Sequence, residues 1–370
     1  MSSETLEIQL IAAVVAVACA LPGVFLVLRR MAMMSDAISH AILVGIAAAA
    51  IFVTEDLTSP LLIVAAAATG VLTVSLVELL NQTRLIREDA AIGITFPALF
   101  SVGVILIARY AGDVHLDTDA VLLGELAFAP FNRFEVLEYD LGPRALWVMG
   151  VILCVNVVFI AFFYKELKLV TFDANLAATL GFSPALVHYG MMTLVSITAV
   201  GAFDAVGSIL VVALMIAPPV TAYLLTNRLS RMIGLSGLIG VASAVAGYWF
   251  AHHQDASIAG SMGLMTGVFF ALALLFAPNR GIVAIARRRA SQRWEFAQTM
   301  LTIHLFSHEG LPEAEREAHV NHLSSHLHWE PDFAQQVVRN AERRGFIRNR
   351  SGRLNLTEQG REMAQLALVK

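Results

Sequence analysis

Residues 33–53 read Met-Met-Ser-Asp-Ala-Ile-Ser-His-Ala-Ile-Leu-Val-Gly-Ile-Ala-Ala-Ala-Ala-Ile-Phe-Val. A helix rises about 1.5 Å per residue, so this run is long enough for the roughly 30 Å hydrocarbon core of a bilayer. Only Asp36 and His40 within it are ionisable. It reads as a membrane span that carries two costly polar groups. Similar apolar runs recur at about 8–28, 60–80, 91–109, 145–163, 186–203, 206–225, 233–250 and 257–277, giving nine in all, although 186–225 admits another parse.

The composition agrees. Of 370 residues, 57% are apolar and only 15% charged, against about 25% charged in soluble domains. That excludes an ordinary globular enzyme, a disordered chain and a disulfide scaffold. The net charge of −4 averages two different bodies, because residues 285–370 hold 23 of the 54 charges. The expected fold is an all-α polytopic membrane protein of about eight or nine transmembrane helices, residues 1–284, followed by a small α+β winged-helix cytoplasmic domain, residues 291–370. Cys19 and Cys154 lie in apolar runs and form no C-x-x-C pair, which supports neither a disulfide nor a thiolate metal site. Glu4 and Glu7 precede Leu10–Leu28 without any Lys or Arg, so that run reads as a retained span rather than a cleaved signal. Segment 112–143 is too polar to cross and reads as an outer loop with an interfacial or re-entrant piece around Leu122 to Phe131.

Lys and Arg in short loops set orientation. Arg29, Arg30, Arg84, Arg87, Lys165, Lys168, Arg228, Arg231 and Arg280 fall on one side, against Arg109, Arg133 and Arg144 on the other. The N-terminus is expected outside and the C-terminus in the cytoplasm. Small residues (Ala47–Ala50, Ala65–Ala68, Gly234/Gly237/Gly240, Gly263-x-x-x-Gly267) allow close helix packing in lipid. Pro97 and Pro218-Pro219 are expected to kink or break their helices.

Asp36 and His40 are four apart and share one helical face. His40, ten residues past Arg30, would lie roughly 15 Å deep, near the midplane. An oxygen and a nitrogen ligand there suit a crossing Mn²⁺, Zn²⁺ or Fe²⁺ without choosing among them. The plainer alternative is that Asp36 caps the helix and His40 bonds a neighbour. Among other polar groups, Glu78 and His188 are expected to snorkel or cap at cytoplasmic ends. Asp204 is a candidate gate near the outer end. His252/His253/Asp255 and His115/Asp117/Asp119 are outer clusters that read mainly as solvated loops.

The stretch Leu28-Arg29-Arg30-Met31 through Ser35-Asp36-Ala37-Ile38-Ser39-His40-Ala41 resembles the D-A-I-S-H-A segment of the zinc/manganese ABC transporter permeases, the ABC-3 family. Three more stretches are similar to that family: Glu88-Asp89-Ala90-Ala91-Ile92-Gly93, Phe172-Asp173-Ala174-Asn175-Leu176-Ala177 through Leu180-Gly181, and Ala205-Val206-Gly207-Ser208-Ile209-Leu210-Val211 through Ile216-Ala217-Pro218. The resemblance spans about residues 10–282. One departure is Val44-Gly45, where relatives commonly have Pro-Gly. It implies a dimeric permease subunit, homodimer or paralogue heterodimer, of a bacterial plasma (inner) membrane importer. Such a subunit takes a metal ion from an extracytoplasmic metal-binding protein and is driven by a separate ABC ATPase subunit. It places the pathway ligands on Asp36 and His40 and the ATPase-coupling helix on Phe172, Asp173, Leu176, Ala177, Leu180 and Gly181. The chain has no G-x-x-x-x-G-K-[ST] phosphate loop, so ATP hydrolysis is expected on the partner and no permanently bound cofactor is expected.

After Arg287-Arg288-Arg289, residues 293–310 and 313–328 read as helices and Pro331–Arg344 as an amphipathic helix stopped by Gly345. A hairpin over 346–356 and a last helix capped by Thr357 follow. This order resembles the DNA-binding domain of iron/manganese-dependent repressors. Six of the eleven histidines lie in this tail. His319, His322 and His326 have helical spacing and form a possible regulatory metal set. Arg339, Arg343, Arg344, Arg348, Arg350 and Arg353 give a basic helix and wing, but docking or regulation is favoured over nucleic-acid binding. The function expected is inward transport of Mn²⁺ first, Zn²⁺ or Fe²⁺ otherwise, by alternating access. The alternatives are a proton-coupled secondary metal transporter, a membrane-tethered metal-responsive regulator, and an importer of chelated metal through a wider path.

Overall fold

The computed structural model describes residues 3–52, 60–83, 85–110, 126–136, 139–312, 314–350 and 352–368. Two compact units divide at Gly281 and Ile282. The sequence places residues 285–290 between domains, yet they belong to a helix that begins at Ile282. Arginine is a good helix former, so a basic run need not be a linker.

In the first unit the helices are α1 (Ser3–Leu28), α2 (Met33–Phe52), α3 (Pro60–Gln82), α4 (Glu88–Tyr110), α5 (Arg144–Phe162), α6 (Tyr164–Phe172), α7 (Ala174–Thr179), α8 (Pro184–Val206), α9 (Ser208–Leu225), α10 (Leu229–Gln254) and α11 (Ile258–Phe276). Among the described residues nine helices are long and apolar enough to cross a bilayer, all but the short α6 and α7. The stretch 186–225 resolves into α8 and α9 at Gly207, whose φ of 77° interrupts the helix. Such a backbone suits a residue without Cβ. Pro97 and Pro218-Pro219 break nothing: α4 and α9 run through them. Part of the loop expected over 112–143 is instead an antiparallel hairpin, β1 (Arg133–Val136) and β2 (Tyr139–Pro143). Leu122 to Glu125, Glu55, Asp56, Arg84 and the His115/Asp117/Asp119 cluster lie outside the described residues.

α1 is the central post, packing on α5, α8, α9 and α10, while α2 packs against α3, α4 and α8. Lipid gives helices no hydrophobic drive to associate, so close backbone approach and buried polar bonds hold them. A Cβ on Gly45 of α2 would collide with Thr69 and Ala65 of α3, and one on Gly103 of α4 would stand 3.0 Å from the Val44 amide. So the Val44-Gly45 step is clamped on both sides. Gly240 meets Ala16 of α1, whereas Gly234, Gly263 and Gly267 meet nothing within 4 Å among the described residues. A polar knot lies deeper. Asn156 of α5 donates to the Ala18 carbonyl of α1 (2.9 Å) and to Thr198 of α8 (3.0 Å), and Thr198 donates to the Leu194 carbonyl (2.8 Å).

The second unit comprises α12 (Ile282–His308), α13 (Ala314–Glu317), α14 (Val320–His326), α15 (Pro331–Arg343), the hairpin β3 (Ile347–Arg350) and β4 (Arg353–Leu356), and α16 (Glu358–Leu368). The helix expected over 313–328 is thus two short ones. Ala334, Val337, Val338 and Ala341 form the buried stripe of α15 and pack with Leu301, Leu305, Leu323, Ile347 and Leu354. Gly345, at φ 76°, ends α15, and Phe346 donates its amide back to the Ala341 carbonyl (3.0 Å), a Schellman closure. Thr357 caps α16 by accepting from the Gly360 amide (3.2 Å).

Candidate metal path

The turn before α2 sets the position of Asp36 and His40. α1 ends with Arg30 at φ 62°, while Met31 donates to the Leu26 carbonyl (2.9 Å) and Arg30 to the Val27 carbonyl (3.1 Å). This closes the helix as glycine usually does, at about 1–2 kcal/mol of strain for a residue with a Cβ. Asp36 then falls in the first turn of α2. His40 is seven residues in, about 10.5 Å along a helix of about 30 Å. It therefore lies about a third of the way along α2 and not at its midpoint, because residues 29–32 are spent on the turn.

Asp36 Oδ1 and His40 Nε2 stand 3.4 Å apart, with side chains 31% and 33% exposed. The flanking hydroxyls point inward and satisfy themselves. Ser35 donates to the Ala32 carbonyl (2.8 Å) and Ser39 to the Ser35 carbonyl (2.9 Å). The helix thus buries its serines and leaves the carboxylate and imidazole half-open. The His40 ring rests on two α4 rings one turn apart, Phe96 at 5.8 Å and Phe100 at 6.1 Å, the latter edge-on. Two phenyl groups hold the imidazole without competing for its nitrogen lone pair. A carboxylate oxygen and an imidazole nitrogen at this spacing can share one divalent cation.

The stretch expected to couple to an ATPase is built with two caps. Asp173 accepts the Leu176 amide at 2.9 Å and starts α7. Gly181, at φ 87°, ends it, with Gly181 donating to the Ala178 carbonyl (3.1 Å) and Phe182 to the Ala177 carbonyl (3.0 Å). Ala177 is buried, whereas Phe172, Leu176 and Leu180 are exposed at four-residue spacing. Exposed apolar side chains grouped outside the spans are the kind of patch that marks interaction sites.

His188 does not snorkel. It is buried, and neither ring nitrogen has a hydrogen-bond partner among the described residues; it lines a cleft with Arg29 and Glu78. Nothing is described of the Asp204 side chain. His252 and Asp255 line a cavity with Ile8, Leu126 and Tyr248, and the His252 ring lies parallel to that of Tyr248 at 6.3 Å. Also outside the spans, Arg133 pairs with Asp140 across the β1–β2 hairpin and reaches Glu7 of α1 at 3.3 Å. The Gly142 amide donates to Asp140 (2.9 Å) and, with Arg133, holds that carboxyl below its ordinary range. The residues give no sequence signal for the hairpin beyond Gly142, and one Asn in an apolar run, such as Asn156, has no periodic signature.

In the tail, His319, His322 and His326 do not share one helical face. His319 precedes α14 in extended backbone and bridges to Arg353 of β4, with Val320 donating to the Gly352 carbonyl (3.1 Å). Pairing with the hairpin pulls it off the helix. His304 of α12 comes close to His326 instead, with ring centres 5.5 Å apart. Burial first, and then the nearby His308, push the His304 imidazole below its ordinary pKa.

The model of the ABC 3 transport family matches residues 3–277. The chain is 47% identical over 364 residues to the zinc transport system membrane protein TroD of Treponema pallidum, covering 98% of this chain and 99% of that one. It is 47% identical over 283 residues to the manganese transport system membrane protein MntD of Bacillus subtilis, covering 76% of this chain and 95% of the relative. Among solved structures, it is similar to PsaBC from Streptococcus pneumoniae in complex with Fab, with a TM-score of 0.62, 30% identity, and coverage of 74% and 92%.

Proposed function

The chain belongs to the ABC 3 transport family, and from that premise we propose that Asp36 and His40 pass a bare divalent cation, Mn²⁺ or Zn²⁺ with Fe²⁺ as a lesser substrate, inward through the membrane. The chain is the multi-pass permease subunit of an ABC metal importer. Family membership sets aside the proton-coupled and tethered-regulator alternatives. The single observation that carries the pathway reading is the Asp36–His40 pair, 3.4 Å apart and about a third exposed.

A transported ion must be held firmly enough to enter and weakly enough to leave. One carboxylate and one imidazole, short of a full coordination shell, meet both demands. The remaining ligands come from water or from a second permease subunit, identical or paralogous, facing this one. Exposed Phe172, Leu176 and Leu180, with Asp173 and Gly181 fixing the ends of α7, support docking of an ABC ATPase there, which relays alternating access. This puts α7 and the basic loops in the cytoplasm and the N-terminus outside in a bacterial plasma membrane. An extracytoplasmic metal-binding protein delivers the ion on that outer side. We read the second unit as a cytoplasmic winged-helix extension, supported by the order of α12, α14, α15, the β3–β4 hairpin and α16. Its role is regulatory rather than nucleic-acid binding.

The test is uptake by vesicles holding permease and ATPase together. Mn²⁺ or Zn²⁺ accumulation that requires ATP, and that excess of the other ion competes away, is the expected result. Uptake that persists without the ATPase would contradict this assignment.

A further inference from the structure

We infer that His304, Glu317 and His326 form a divalent-cation site of zinc-class preference within the C-terminal unit, separate from the transport pair. One ligand atom from each of the three lies within 4.8 Å of the others. They come from α12, the end of α13 and the end of α14. Glu317 is the hub. Its Oε2 is 2.7 Å from His326 Nδ1, a hydrogen bond that a shared ion would replace, and 3.5 Å from His304 Nε2, and its Oε1 is 3.7 Å from His322 Nε2. Two ligands of a tetrahedral Zn²⁺, each about 2.0–2.1 Å from the metal, stand about 3.3 Å apart. The observed separations bracket that value.

A second observation points to an occupant. The His304 side chain is 8% exposed, faces Glu317, and its Nε2 makes no hydrogen bond among the described residues. A buried nitrogen left so is costly, and such groups call for an explanation. A cation between the imidazole and the carboxylate supplies one. His308 fits around the edge. Its Nδ1 lies 2.8 Å from the His304 carbonyl and must donate to it, because a carbonyl only accepts. Its Nε2 then keeps a lone pair, and its ring centre is 4.7 Å from that of His304. Imidazoles around one carboxylate favour Zn²⁺ or Co²⁺ over Mn²⁺, which prefers more oxygen ligands. The regulatory role expected of His319, His322 and His326 thus moves to this cluster, with His322 as a candidate fourth ligand and His319 left out.

The site stands on its own geometry, and its test is kept apart from the transport reading by using full-length protein in which Asp36→Ala and His40→Ala remove the pathway pair. Titration with Co²⁺ should give the visible bands of a tetrahedral ion at one equivalent per chain. Zn²⁺ should abolish those bands, and equimolar Mn²⁺ should not. Glu317→Gln and His326→Ala should each weaken Co²⁺ binding about tenfold or more. The His326 side chain is 50% exposed, so its loss leaves the core intact, and circular dichroism checks the fold of both variants. Absence of the bands in the pathway-free protein, or bands unchanged in both variants, would overturn the site.

Discussion

Asp36 and His40 lie on one turn of one helix, half-open and limited to two ligands. His304, Glu317 and His326 converge from three helices on a carboxylate whose side chain is only 7% exposed. As proposed above, the two arrangements would use the same chemistry for opposite ends. On the proposed readings, a site that an ion must leave is kept poor in ligands, whereas one that retains an ion gathers more of them around a buried carboxylate. The contrast also has a mechanical side. The pair lies on a single helix, but an ion filling the cluster would tie α12 to α13 and α14.

Charge-removing substitutions that keep shape are the strongest way to break this contrast. Asp36→Asn or His40→Gln is expected to cut ATP-driven metal uptake at least about tenfold, measured in reconstituted vesicles, while the ATPase still co-purifies. Leu180→Asp should give a comparable loss by another route, since an exposed apolar anchor becomes charged. There the ATPase should fail to co-purify and α2 should be untouched. Truncating the enclosed side, Leu301→Ala is expected to destabilise the C-terminal unit by about 2–5 kcal/mol, read by chemical denaturation of that unit. Asn156→Ala, which removes the knot joining α1, α5 and α8, should cost only about 1 kcal/mol, seen as a lower unfolding temperature in detergent.

The smallest effect sharpens the contrast through pH. Arg361 pairs with Glu309 at 2.7 Å and holds that carboxyl below its ordinary range. Because the folded value is depressed, the stabilisation is complete above the unfolded carboxylate range and fades as pH falls through the folded value. Arg361→Gln should lower stability slightly at neutral pH, as a partly exposed pair allows, and leave it unchanged below the folded value, where the carboxyl is protonated either way.

Much of the transmembrane unit was legible because lipid accepts only long apolar helices, so hydropathy alone recovers nine of them. Asp36 and His40 were legible because a local spacing of four guarantees a shared face. Their place along α2 was less legible, since nothing in Arg29-Arg30 announces that residues 29–32 form a turn with Arg30 at φ 62°. The C-terminal cluster was half legible. Histidine enrichment was plain, but Glu317 lies 13 residues from His304 and nine from His326, spacings that encode no common face. His319 looked helical by periodicity until pairing with Arg353 claimed its backbone. The β1–β2 hairpin escaped for a related reason: its strands are four and five residues long, and the Arg133–Asp140 and Arg133–Glu7 contacts are tertiary.

The most direct test of the central claim is initial-rate uptake of radioactive Mn²⁺ and Zn²⁺ by the vesicle-borne complex carrying Asp36→Ala or His40→Ala, beside one carrying Glu317→Gln. Both pathway variants are predicted to fall to the background of protein-free vesicles with the assembly intact, and Glu317→Gln to go on accumulating metal. Wild-type rates in either pathway variant would contradict the account.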